Sequence, residues 1–95
     1  MLFVAVCSDK PGMLDTRVSN RPTHVAWMES TGGGVKLAGP FLDDAGQNPI
    51  GSMLIVEADD LAAAKAMLAE DPYAKLGIFA SVDVKPWRVG IGKLG

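Results

Sequence analysis

Any acid/base chemistry at an imidazole in this chain must pass through one residue. His24 is the only histidine among 95 residues and stands in the run Arg21-Pro22-Thr23-His24-Val25-Ala26-Trp27. Histidine is the one side chain whose unperturbed charge change falls near neutral pH, so an imidazole close to cationic side chains suits proton transfer. On an unbroken helix Arg17, Arg21, His24 and Met28, spaced by four, three and four residues, would share one edge. Two cations and an imidazole along a cleft would suit an anionic small molecule such as a carboxylate or phenolate, with Arg17 and Arg21 holding it. The same spacing also fits an ordinary solvated helix flank, and Pro22 interrupts the alignment.

Asp71 is the second unusual residue. It follows Glu70 at the end of a helical pattern, where the macrodipole disfavours negative charge by a few tenths of a kcal/mol. Asp71-Pro72 is a common turn dipeptide; alternatively the carboxylate orients the His24 imidazole or shares in proton transfer. Three readings stay open. The pair serves an isomerase- or lyase-like enzyme, with His24 as general acid/base and Arg21 holding an anionic metabolite; or the cleft belongs to a non-catalytic dimer that binds a small molecule or assists another protein; or the two residues only tie helix ends together.

The elements that must position these residues follow from periodicity. Leu2 to Cys7 is a continuous apolar run that reads as a central strand buried on both faces. Met13 to Ser30 is helical, with Leu14, Val18 and Val25 as its apolar stripe. Pro22 demands a kink near Asn20 or two short helices, the second capped near Asn20 or Arg21 with Pro22 in its first turn. Gly32-Gly33-Gly34 stops it. Val35 to Leu42 and Ile50 to Ala58 read as two strands joined across a polar loop. Asp59 and Asp60 open an alanine-rich helix, Leu61 to Glu70, with Leu61, Ala64, Met67 and Leu68 on its apolar stripe. Ile78 to Val89 is a fourth strand. The order strand, helix, strand, strand, helix, strand is the split arrangement of ferredoxin-like folds: an α+β, four-stranded antiparallel sheet with two helices on one face. The tail Gly90-Ile91-Gly92-Lys93-Leu94-Gly95 matches a dinucleotide fingerprint letter for letter, but no helix follows to meet a pyrophosphate.

Composition bounds the rest. The chain reads as one domain over residues 1–95. A domain this small buries only somewhat over 60% of the surface its unfolded chain exposes. With 48% hydrophobic residues and a mean hydropathy of +0.21, an apolar interface is expected, covering the open sheet face with a second subunit. Nine basic and 11 acidic residues are interspersed, so nucleic acid is not an expected partner. One cysteine and one histidine fall short of a zinc site, and neither a metal nor an organic cofactor is expected. Cys7, inside an apolar strand, should be a buried, inert thiol. No stretch approaches the ~20 apolar residues of a membrane span, and the opening run lacks a basic leader, which predicts a cytoplasmic protein.

Five short motifs run through the chain in order: Asp9-Lys10-Pro11-Gly12, Arg21-Pro22-Thr23-His24, Ala38-Gly39-Pro40, Asp71-Pro72-Tyr73 and Val84-Lys85-Pro86-Trp87. In order and spacing they resemble the YCII-related family of small bacterial proteins over essentially the whole chain. The resemblance implies a ferredoxin-like fold and a homodimer whose two sheets pack together. It also implies an active centre built on a histidine and an aspartate, here His24 and Asp71. The family looks like the muconolactone isomerase group of dimeric α/β barrels, and one member class removes chloride from chlorinated hydroxyquinols. The loop after Gly39-Pro40, Phe41 to Pro49, matches the family only loosely, so the resemblance leaves the substrate class open.

Overall fold

A computed structural model describes residues 1–94. The last glycine of the dinucleotide-like tail lies outside the described residues. The chain runs β1 (Leu2–Asp9), α1 (Leu14–Ser19), α2 (Arg21–Ser30), β2 (Val35–Leu42), β3 (Pro49–Glu57), α3 (Leu61–Ala69), α4 (Pro72–Lys75) and β4 (Phe79–Trp87). The four strands form one sheet in the order β2-β3-β1-β4 with every neighbour antiparallel. This is the ferredoxin-like α+β arrangement, elaborated by a break in the first helix and by the short α4.

The break has a local cause. Asn20 is at once the C-cap of α1 and the N-cap of α2, and Pro22 falls in the first turn of α2, where a missing backbone N–H leaves no bond unmade. The α3 helix begins conventionally. Asp60 accepts a 2.8 Å bond from the Ala63 N–H, satisfying one donor that the first turn leaves free.

Side chains alternate across the sheet, and the helix-facing positions are easy to follow. On β1 they are Phe3, Ala5, Cys7 and then Asp9; on β3 they are Val56, Leu54 and then Ser52, with Ala5 opposite Leu54 and Cys7 opposite Ser52. Phe3, Ala5, Cys7, Leu54 and Val56 meet Ala64 and Leu68 of α3 in a buried core. The stripe foretold for α3 therefore faces the sheet. One end of this same surface is polar, because period two carries it from Cys7 to Asp9 and from Leu54 to Ser52. Gly51 permits the close pairing there, since a Cβ at that position would strike the carbonyl oxygen of Cys7.

Two expectations need correction. The β1 strand is central in the sheet but not buried on both faces within the chain: Val6, which faces away from the helices, is 40% exposed, and Leu37, Phe41 and Trp87 on the other strands are also open. The stripe of Leu14, Val18 and Val25 does not face the core either. Leu14 and Val18 are exposed, whereas Arg17 and His24 are the buried residues of α1 and α2. The inward positions go instead to polar side chains that have partners there.

Cys7 is 1% exposed. Burial pushes its thiol up to about 12 from an ordinary 9.0, the negative charges of Asp71 and Asp9 adding to the effect and Arg17 opposing it. Between those two values the unfolded chain loses this proton and the folded chain keeps it, so Cys7 stabilises the fold below about pH 9 and the contribution is lost as pH rises toward 12. At pH 8 a thiol reagent should label Cys7 only at the rate of global unfolding, and fast labelling of the native protein would contradict its burial.

Candidate functional site

At the polar end of the helix-facing surface six side chains interlock. Arg17, in the last turn of α1 and 4% exposed, donates from Nε to Asp9 Oδ2 at 2.6 Å and from Nη2 to Asp9 Oδ1 at 2.8 Å. This bidentate pairing fixes the plane of the guanidinium. Nη2 also donates to Ser52 Oγ at 2.9 Å. Burial alone would lower the proton affinity of Arg17, but the hydrogen bond and charge of Asp9 outweigh it and raise the pKa. A permanent cation thus sits inside the protein, held by β1 and β3 together.

Asp71 answers for the second half of the site. It is not a dangling helix end but the N-cap of α4, and its Oδ1 accepts the backbone N–H of Tyr73 at 2.9 Å. The unfavourable position after α3 is offset by this favourable one before α4. The same oxygen lies 2.7 Å from His24 Nδ1. A carboxylate can only accept, so the proton of this contact belongs to Nδ1. Nε2 of His24 then makes no hydrogen bond among the described residues, and the residue lines a cavity. Asp71 Oδ2 is buried and has no partner among the described residues.

Tyr73 closes the group. Its ring stacks on the His24 imidazole with centroids 3.9 Å apart and planes within 6°, and its hydroxyl donates to the Arg17 carbonyl at 3.2 Å. The Arg17 guanidinium lies 4.6 Å from the same ring, within cation–π range. Burial pushes the Tyr73 phenol up against the opposing pull of Arg17.

The structure brings His24, Asp71 and Arg17 into one network and lines a single cavity of about 140 Å³ with Arg17, Arg21, His24, Met28, Ser52 and Tyr73. The edge expected from an unbroken helix therefore survives the break at Asn20. Arg21 differs from Arg17: it is exposed at the rim and pairs with no carboxylate among the described residues. Asp9, Ser52 and Tyr73 were not singled out by type and spacing. Ser52 carries a legible signal, a hydroxyl in the apolar period of Leu54 and Val56. Asp9 and Tyr73 each sit in one of the five short motifs, though neither the pairing with Arg17 nor the stacking on His24 is visible without the fold.

A family model for the YCII-related domain matches residues 1–88. The chain belongs to the YCII-related family. Relatives include the protein YciI of Escherichia coli O6:H1, 35% identical over 93% of this chain and 97% of its own length. An uncharacterised protein of Haemophilus influenzae is equally similar over the same shares. Among solved structures, the 5-chloro-2-hydroxyhydroquinone dehydrochlorinase TftG of Burkholderia phenoliruptrix, in complex with 2,5-dihydroxybenzoquinone, is 32% identical. It superposes with a TM-score of 0.87 over 95% of this chain and 96% of that one. A NIPSNAP domain protein of Burkholderia xenovorans, 13% identical with a TM-score of 0.51 over 98% and 100%, shares the fold alone.

Removing one partner of a buried ion pair strands the other, at a cost of about 3 to 5 kcal/mol. Asp9→Ala should therefore lower stability to urea by about 3 kcal/mol or more, and a loss below about 1 kcal/mol would show that Arg17 does not depend on Asp9.

Proposed function

We propose that the cavity is the active site of a small-molecule enzyme that transfers protons on an anionic, single-ring substrate, in an isomerase- or lyase-like reaction. His24 is the general acid/base, Asp71 holds its tautomer, and Arg17 with Arg21 receives the negative charge. The observation that carries this reading is the division of labour on one ring: Nδ1 is bound to a buried carboxylate while Nε2, without a partner among the described residues, belongs to a residue lining the cavity. A pair serving only to join helices would have no need of the cavity or of a cation beside it.

The chemistry follows from the surroundings. In this tautomer Nε2 offers a lone pair to an acidic C–H or O–H, and the imidazolium so formed faces a carboxylate at 2.7 Å. Asp71 Oδ2, lacking a partner among the described residues, leaves that carboxylate's charge to be balanced by the imidazolium, which lowers the barrier to proton removal. The guanidinium of Arg17, fixed before any ligand arrives, stabilises negative charge left on the substrate without rearranging. A volume of about 140 Å³ matches a benzene-sized guest, since an engineered cavity of ~150 Å³ takes benzene. The similarity to an enzyme named for removing chloride from a hydroxylated ring supports the substrate class and the involvement of proton loss.

The proposal includes a homodimer in which the open sheet faces of two copies pack together. Val6, Leu37, Phe41 and Trp87 expose apolar surface on the side away from the helices, and half-buried Val4 and Met53 lie between them. Sedimentation equilibrium at micromolar concentration should give twice the chain mass, and Val6→Glu should shift it toward one. A stable native monomer would overturn this part.

For the chemistry, a panel of hydroxylated and chlorinated single-ring compounds, with NMR in D2O to follow exchange and elimination, should reveal turnover by the native protein. His24→Ala should reduce it by about 10²- to 10⁴-fold with the fold intact. Asp71→Asn should reduce it as well, by favouring the wrong tautomer. Turnover unaffected by His24→Ala would overturn the assignment.

A further inference from the structure

We propose that Tyr73 is a positioning residue for the proton transfer: the face of its ring sets the plane of the His24 imidazole, and so the direction in which Nε2 meets the ligand. The inference rests on the cavity being the active site.

Asp71 holds His24 at one point only. Its Oδ1 receives Nδ1 at 2.7 Å, and a ring held by a single hydrogen bond can still tilt about that contact, because the torsion joining an imidazole to its Cβ has no sharp minimum. Tilting would swing Nε2 away from its target. The second contact comes from Tyr73, whose ring lies within 6° of parallel to the imidazole at a centroid separation of 3.9 Å. Trp27, also near His24, is 6.2 Å away and inclined by 33°, too far to define the plane.

Only a part that is itself fixed can fix another. The backbone N–H of Tyr73 donates to the same Asp71 Oδ1 at 2.9 Å, which draws both residues to one oxygen. Phe79 packs perpendicular to the tyrosine ring at 6.2 Å, and the Arg17 guanidinium lies 4.6 Å from its centroid. Tyr73 is 2% exposed, so its ring cannot tilt without displacing these neighbours. The hydroxyl is the lesser part. It donates to the Arg17 carbonyl at 3.2 Å, but that carbonyl also accepts the Asn20 N–H at 3.3 Å and keeps a partner without it. The aromatic face is what the position supplies to His24. A misdirected base costs rate rather than affinity, since an error of about 1 Å in placing a reacting atom can slow a reaction ~10²-fold.

Proton NMR with steady-state kinetics tests this. His24 is the only histidine, so its carbon-bound ring protons are identified without ambiguity. Lying over the face of a tyrosine, they should resonate upfield of their positions in the unfolded chain. Tyr73→Phe, which keeps the ring, should retain that displacement and turn over hydroxylated or chlorinated single-ring compounds within about threefold of native. Tyr73→Met, which fills the space without a ring, should lose the displacement and lower kcat about tenfold to a hundredfold, with KM within about threefold of native. Thermal unfolding checks the fold of each variant. Undisplaced protons in the native protein, full turnover by Tyr73→Met, a raised KM with kcat unchanged, or loss of turnover in folded Tyr73→Phe would each overturn the role of Tyr73 and leave the enzymatic reading standing. The first and last of these decide the matter even if Tyr73→Met does not fold. Absence of turnover by the native protein would overturn both.

Discussion

The carboxylate of Asp71 is the constraint around which the site is arranged. It is 1% exposed, and a buried charge must find partners within the fold or be lost. Its Oδ1 takes two, the Tyr73 N–H from α4 and the His24 Nδ1 from α2, and so binds together segments 47 residues apart. The short α4 exists in the geometry that this requires: Pro72 opens it, Asp71 caps it, and the next residue, Tyr73, is thereby laid flat against the imidazole. From Tyr73 the chain of contacts continues through its hydroxyl to α1, through Arg17 to Asp9 on β1, and through Ser52 to β3.

Two buried carboxylates share this network with one guanidinium and one imidazole, and the distribution is uneven in a useful way. Both oxygens of Asp9 accept a bond from Arg17. Asp71 retains an oxygen with no partner among the described residues, so its charge is only partly compensated while His24 is neutral. Protonation of His24 would complete the balance. A leftover of this kind costs about 1 to 3 kcal/mol in a structure with no use for it. Here the carboxylate that carries it holds the His24 ring, which lines the cavity. The apolar part of the helix-facing surface forms the core and its polar end carries the candidate site, with the boundary between them falling after Cys7 on β1 and before Leu54 on β3.

Much of this was legible in the sequence. Alternation and 3.6-residue periodicity gave the order of strands and helices, and element ends fell within a few residues of those expected; Asn20 with Pro22 was enough to place the helix break. His24 and Asp71 stood out by scarcity and by an unfavourable helix end. The inward face of the first helical region did not come through, because hydrophobic periodicity assumes that apolar residues face the core. Leu14 and Val18 were assigned there, and Arg17 and His24 took the place. A buried arginine is stable only because Asp9 emerges on the same side of β1, a coincidence of strand period and helix position that one-dimensional patterns do not express. Ser52 was visible as a polar intrusion, but its meaning depends on Arg17. The two-faced burial expected of β1 treated a continuous apolar run as proof of cover on both sides, whereas the chain itself covers one.

The central claim is that Asp71 holds His24 with its proton on Nδ1 and Nε2 bare toward the cavity. Nitrogen-15 NMR of the imidazole, recorded on the neutral ring, measures this directly, because protonated and unprotonated ring nitrogens resonate far apart. The account predicts a protonated Nδ1 and an unprotonated Nε2 in the native protein, with the preference lost in Asp71→Asn. A neutral ring carrying its proton on Nε2, or one whose tautomer ignores Asp71, would contradict it.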